Sequence, residues 1–199
     1  MTTMTKTIQE RMTPEEALTR LLEGNRRFVE KQHARPDLSE QVSATAEGQF
    51  PFAAVLGCID SRAPAELVFD QGIGDIFNAR VAGNIVNEDI LGSLEYACKV
   101  AGSKLILVLG HTACGAVTAA CKRVELGNIT PLLSKITPAV ESFGNRPVEV
   151  DEVARQNVQM SIQRIKAESE ILSELESRGE IQILGAMYDV TTGKVTLLD

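Results

Sequence analysis

The sequence predicts an α/β fold: a mostly parallel central sheet flanked by helices, preceded by an N-terminal helical arm. Three observations carry this. The apolar runs "FAAVLG" and "KLILVLG" are continuous rather than alternating, as strands buried on both faces must be. Segments such as "EDILGSLEYACKVAG" and "GAVTAACKRVE" lie between and after them, with apolar residues at helical spacing. With 199 residues and 44% hydrophobic content, the chain suffices for one well-buried domain and falls short of two full ones.

The first helix is announced by Thr13, Pro14 and Glu16, which supply an N-cap, a first-position proline and a capping-box glutamate. Leu18, Leu21, Leu22 and Phe28 then recur at helical spacing. The polar stretch from His33 to Gly48 reads as a linker or short arm, so residues 1–48 are expected to pack on a partner subunit and 49–199 to form the main α/β domain. There "FAAVLG" ends at Gly57, "DIFNARV" is a second strand, and "EDILGSLEYACKVAG" is an amphipathic helix ending at Gly102. "KLILVLG" is a third strand, and "GAVTAACKRVE" a helix. The long helical region from Val150, which can hold a break, is stopped by Gly179. "IQILGAMYDV" and "GKVTLLD" close the chain as a strand and its hairpin partner.

Several function classes are excluded at this level. The formal net charge of −7 and the lack of a basic block argue against a nucleic-acid partner. No apolar run approaches the roughly 20 residues of a membrane-spanning helix. "MTTMTKTIQERMT" lacks the apolar core of a secretory signal, so the expected location is cytoplasmic. "DQGIGDIF" puts Phe77 where a dinucleotide fingerprint wants its third glycine, and it precedes a strand. The four cysteines, in a reducing compartment, are free thiols or metal ligands rather than a disulfide framework. Cys98 and Cys121 fall on predicted helices as small buried hydrophobes, and His33 lies in the polar arm.

Ligands of parallel sheets sit at the carboxyl ends of the strands. "GCIDSRAP" places Cys58, Asp60 and Arg62 just past one such end, and "GHTACGAV" places His111 and Cys114 past another. A Cys₂His set is a zinc-type donor combination, and three protein ligands leave a fourth tetrahedral position for water or substrate. Cys114 also falls near a helix N-terminus, where the dipole favours a thiolate.

Cys58-Ile59-Asp60-Ser61-Arg62 together with His111-Thr112-Ala113-Cys114-Gly115 resembles the zinc site of the β-class carbonic anhydrases. The resemblance runs on through "ELVFDQGIGDIFNARVAGNIV" and "LGSLEYA", covering most of the chain from Gln49. It implies reversible hydration of carbon dioxide to bicarbonate, one Zn2+ per subunit, and Cys58, His111 and Cys114 as its ligands. Asp60 and Arg62 would form a dyad. In open-site members the aspartate accepts a hydrogen bond from hydroxide on zinc while the arginine holds it; in closed-site members it turns onto zinc. By its distance from the motifs, Gln49 matches a pocket glutamine of plant-type members, and Phe77 and Tyr96 match the pocket's aromatic wall, although both suit ordinary core equally well. Val55 stands where some bacterial members place a tryptophan of a bicarbonate site, whose arginine Arg80 matches, so an open site is expected. The family implies a homodimer or homotetramer with pocket residues shared across the interface, Tyr96 and the N-terminal arm among the parts involved. Carbonyl sulfide or carbon disulfide hydrolysis on the same zinc, or a non-catalytic structural zinc, are the alternative readings.

Overall fold

The structure is a computed structural model describing residues 3–34 and 37–198. Met1, Thr2, Arg35 and Pro36 of the expected arm, and Asp199 of the expected last strand, lie outside the described residues.

Helices α1 (Lys6–Arg11) and α2 (Pro14–Val29) come first, and the capping box of Thr13 and Glu16 forms as the sequence requires. The polar stretch that follows is not a plain linker, because Leu38–Thr45 forms α3. Asp37 caps it by accepting from the Ser39 and Glu40 N–H groups. Its buried anchor is polar: Gln41, 2% exposed, accepts from Ile73 N–H at 3.0 Å. A helix held by a glutamine leaves no apolar periodicity to read.

Strand β1 (Ala53–Gly57), the single turn α4 (Ala65–Val68), β2 (Ile76–Arg80) and α5 (Glu88–Glu95) follow, and α5 continues as a π-turn through Tyr96–Val100. Then come β3 (Leu105–His111), α6 (Gly115–Cys121), α7 (Ile129–Leu133), α8 (Thr137–Glu141), α9 (Val150–Glu168), α10 (Glu170–Ser177), β4 (Gln182–Tyr188) and β5 (Val195–Leu197). The break between α9 and α10 falls at Ser169, extended at φ −120°, ψ 102°, whose Oγ caps Leu172 N–H and donates to Glu95 at 2.6 Å.

The sheet order is β2-β1-β3-β4-β5, parallel except for β5, which runs antiparallel to β4 as the expected hairpin partner. Alternate residues of the central strands serve two cores. Ala54, Leu56, Ile106 and Val108 face a layer with α5, α6 and α9 residues such as Leu94, Val117 and Val158. Ala53, Val55, Leu105, Leu107 and Leu109 face Ala17 and Leu21 of α2, together with Phe52 and Phe69. Each Leu, Ile or Phe fully buried this way contributes roughly 1.5–3 kcal/mol, which is why the strands are apolar throughout.

The first two helices are therefore part of the same body. Gln9 donates to the carbonyls of Pro51 and Ala101 at 2.7 and 2.8 Å, and Asn25 ties α2 to Val68, Gly193 and Val195. Gly24 permits the contact, since a Cβ there would lie 1.8 Å from the Phe69 carbonyl oxygen.

Candidate metal centre

Adjacent parallel strands end at the same edge of the sheet, and β1 and β3 are neighbours in register, Gly57 opposite Leu109. Cys58 follows the last residue of β1, His111 ends β3, and Cys114 caps α6. Strand pairing thus closes a long sequence separation. One donor atom from each of Cys58, His111 and Cys114 lies within 4.8 Å of the others, and all three side chains are buried. No other group of three or more such residues occurs among the described residues.

The donor chemistry fits a metal. His111 Nδ1 sits 2.9 Å from the Thr112 carbonyl, which assigns it as the N–H donor. Nε2 is then a buried lone pair, and it has no hydrogen-bond partner. A buried unpaired nitrogen is costly unless something coordinates it, and here it stands among two thiols. Imidazole with two thiolates is the ligand set of a tetrahedral site with one open position. The hydrogen bond from Cys114 lowers the Cys58 thiol against the opposing effect of burial, aided by the Gly83 N–H, and the same bond raises Cys114.

Asp60 and Arg62 stand beside the donors as a fork. Arg62 Nε donates to Asp60 Oδ1 at 2.9 Å, Nη2 to Oδ2 at 2.8 Å, and the Arg62 backbone N–H to Oδ1 at 2.9 Å. This hydrogen bonding holds the Asp60 carboxyl well below the ordinary carboxylate range. Asp60 Oδ2 is 3.9 Å from His111 Nε2, so the carboxylate faces the metal donors while bonded to arginine.

Several supporting residues carried no sequence signal strong enough to assign them. Arg80, matched in the sequence to a bicarbonate site, donates to the carbonyls of Cys58 at 2.8 Å and Asp60 at 2.6 Å and so fixes the first loop. Ala113 adopts a left-handed φ of 53°, held by its N–H bond to Asp151 at 2.8 Å and by Arg62 on its carbonyl at 3.3 Å. Thr112 accepts from Val190 N–H at 3.0 Å, joining the second loop to the end of β4. Asp151 looks like any acidic residue in a helix first turn, and only the fold reveals its partner.

The aromatic residues Phe77 and Tyr96 meet edge to face, with centroids 6.3 Å apart, and line a cavity of about 600 Å³ with Ala54, Ala79 and Glu88. None of the metal donors lines it. Phe77 pairs with Ala54, three residues before Gly57, so it sits about 10 Å down the strands from the end that delivers Cys58. Gln49 lines a separate depression with Gln9, Phe50 and Lys104. Within one chain Gln49, Phe77 and Tyr96 are not brought to the donors. Val55 is fully buried in the core. Burial pushes Cys98 up to about 12, whereas Cys121 is half-buried and His33, paired with Asp70 at 3.8 Å, lies away from the site.

The comparisons with known proteins agree with this geometry. The carbonic anhydrase family model matches residues 53–195. Carbonic anhydrase 2 of Mycobacterium tuberculosis is 37% identical over 194 residues, 94% of this chain and 93% of that protein. The β-carbonic anhydrase CafA of Aspergillus fumigatus superposes with a TM-score of 0.74 at 26% identity, covering 93% of this chain and 90% of that one. The Coccomyxa β-carbonic anhydrase, solved with acetazolamide, gives 0.73 at 28% identity, covering 91% and 86%. With two cysteines and a histidine gathered at the ends of neighbouring strands, an aspartate–arginine fork beside them and a family match over most of its length, the chain belongs to the β-carbonic anhydrase family.

Proposed function

We propose that this chain catalyses the reversible hydration of carbon dioxide to bicarbonate and a proton, with one Zn2+ per subunit held by Cys58, His111 and Cys114. The observation that carries the reading is the buried, unpartnered His111 Nε2 among two thiols, 3.9 Å from a carboxylate locked to arginine. Bound there, zinc supplies a Lewis acid that brings the pKa of water down toward neutrality.

The chain's own residues do the rest. Asp60, ionised and oriented by Arg62, accepts a hydrogen bond from the attacking water and aims its remaining lone pair at the carbon of carbon dioxide. Arg80 keeps the loop bearing Cys58 and Asp60 in place. Phe77 and Tyr96 offer an apolar wall suited to a substrate without charge or dipole, and Gln49 a polar group at its margin. Because these three lie away from the donors of their own chain, they serve the site of a second copy across an interface.

The assembly is accordingly a homodimer or homotetramer. Residues 1–48 contribute to it through α3, where Leu38 and Val42 are more than half exposed. Tyr96 and Val100 add exposed apolar surface beside the aromatic cavity. No described helix is long and apolar enough to cross a membrane. The four free cysteines suit a reducing compartment, so the cytoplasm is the proposed place of work.

Stopped-flow carbon dioxide hydration, measured across pH on protein of known zinc content, tests the reading. Two thiolates donate more charge than imidazoles, so activity is expected to scale with zinc and to rise toward mildly alkaline pH. Zinc-replete protein that stays inactive at alkaline pH would refute it.

A further inference from the structure

After β2 the chain turns through Ala82–Asn84 against α9. Gly83 lies at φ 68°, ψ 21°, and Asn84 at φ 42°, so two consecutive residues are left-handed. For a non-glycine residue this costs about 1–2 kcal/mol and persists where the surroundings over-determine it. Here the surroundings are specific. Asn157 Nδ2 donates to the Gly83 carbonyl at 2.8 Å, and Ser161 Oγ donates to the Asn84 carbonyl at 3.3 Å. The two donors are four residues apart on α9, hence on one face, and are 3% and 5% exposed. On its other side Gly83 donates its N–H to Cys58 Sγ at 3.3 Å. A Cβ at Gly83 would lie 2.5 Å from Ile136 Cδ1 and 3.3 Å from Ala116 Cβ, so a larger residue there would crowd its neighbours, and the positive φ would add strain.

We infer that Asn157 is a positioning residue of the metal centre: by holding the Gly83 carbonyl, with Ser161 as a second clamp on Asn84, it fixes the backbone N–H that bonds the Cys58 sulfur. That N–H draws charge from the thiolate. A sulfur that shares its lone pair with a donor gives less charge to a metal, so the metal keeps more of its power to acidify water. α9, which contributes no ligand, thereby tunes one. The inference rests on Cys58 being a metal ligand, as proposed above.

The test uses the full chain loaded with Co2+ in place of zinc, because thiolate-to-cobalt charge transfer reports directly on the sulfur. In Asn157→Ala the Gly83 peptide is released, so the charge-transfer band moves to longer wavelength. Co2+ affinity, measured by chelator competition, falls about tenfold. Ser161→Ala, whose bond is longer, shifts the band in the same direction by less. Cys98→Ala, a buried truncation on the same side of the sheet, lowers the melting temperature and leaves band and affinity as they were. A band that does not move in Asn157→Ala, with Co2+ affinity within twofold of the unsubstituted chain, overturns the inference whatever happens to stability. Should Asn157→Ala fail to fold, an unmoved band in Ser161→Ala overturns it equally. An unsubstituted chain with no thiolate-to-cobalt band overturns the metal-centre reading, and this inference with it.

Discussion

Arg62→Gln separates orientation from stability. The Arg62 side chain is 51% exposed, so solvent screens its attraction to Asp60. Its loss should therefore leave the melting temperature nearly unchanged. The effect on turnover is expected to be far larger. Asp60 keeps the backbone N–H of residue 62 on Oδ1 but loses the guanidinium bonds at 2.9 and 2.8 Å, which leaves Oδ2 free to rotate. A misplacement of about 1 Å in a group that orients a reactant costs on the order of 100-fold, equivalent to about 2.7 kcal/mol of barrier. None of the three metal donors is touched, so metal content should stay near one per chain. The assay pairs stopped-flow turnover with metal analysis of the same sample, and Arg62→Lys, a point charge that cannot span both oxygens, should fall between. A metal-replete Arg62→Gln protein turning over within about threefold of the unsubstituted chain would refute the orienting role of the fork.

Cys114→Ser replaces a buried soft donor by a hard, neutral one, and purified protein should carry well below one metal per chain by elemental analysis; full occupancy would remove Cys114 from the ligand set. Cys98 is pushed up to about 12 by burial, above its ordinary value of about 8.5. Its contribution is complete below that ordinary value and is lost as pH rises toward 12, so the stability gap between the unsubstituted chain and Cys98→Ala should narrow by on the order of 1–2 kcal/mol between pH 8 and 10. A constant gap in urea midpoints would show the thiol to be more accessible than its burial implies. Gly24→Ala drives a methyl into the Phe69 carbonyl oxygen and forces α2 off the sheet; a loss of about 2 kcal/mol, or roughly 4–8 °C in Tm, is expected, and an unchanged Tm would deny the close approach.

The candidate metal donors were legible because Cys58 follows directly on one unmistakable strand, His111 ends another, and Cys114 lies three residues further on. Two continuous apolar runs must both be central in a parallel sheet, and central strands end together, so Cys58 and His111 had to meet. The Asp60–Arg62 fork was legible from local spacing, since a carboxylate and guanidinium two residues apart on a turn can reach each other. Where placement depends on tertiary partners, the sequence was silent. α3 is anchored by Gln41 rather than by an apolar stripe, and the Ser169 break contains neither glycine nor proline. Phe77 and Tyr96 could be recognised by type, but their distance from Cys58 follows from the register of β1 against β2, which no local pattern encodes.

The centre divides its work between buried and exposed groups. The donors are almost wholly buried, which spares a metal competition from water and demands that every ligand be pre-set. In the proposed reaction the fork could not be buried in the same way, because substrate, product and proton would have to pass it. Exposure would normally leave such a pair loose. Here the backbone carries the restraint that burial would otherwise give. Arg80 grips the carbonyls of Cys58 and Asp60, and Arg62 reaches from Asp60 to the carbonyl of Ala113 on the other ligand loop. Ala113 in turn keeps its left-handed φ through Asp151 on α9. The same helix supplies Asn157 to the Gly83 turn behind Cys58. One helix therefore restrains both ligand-bearing loops without donating a ligand, and the exposed arginine that orients Asp60 also ties those loops to each other.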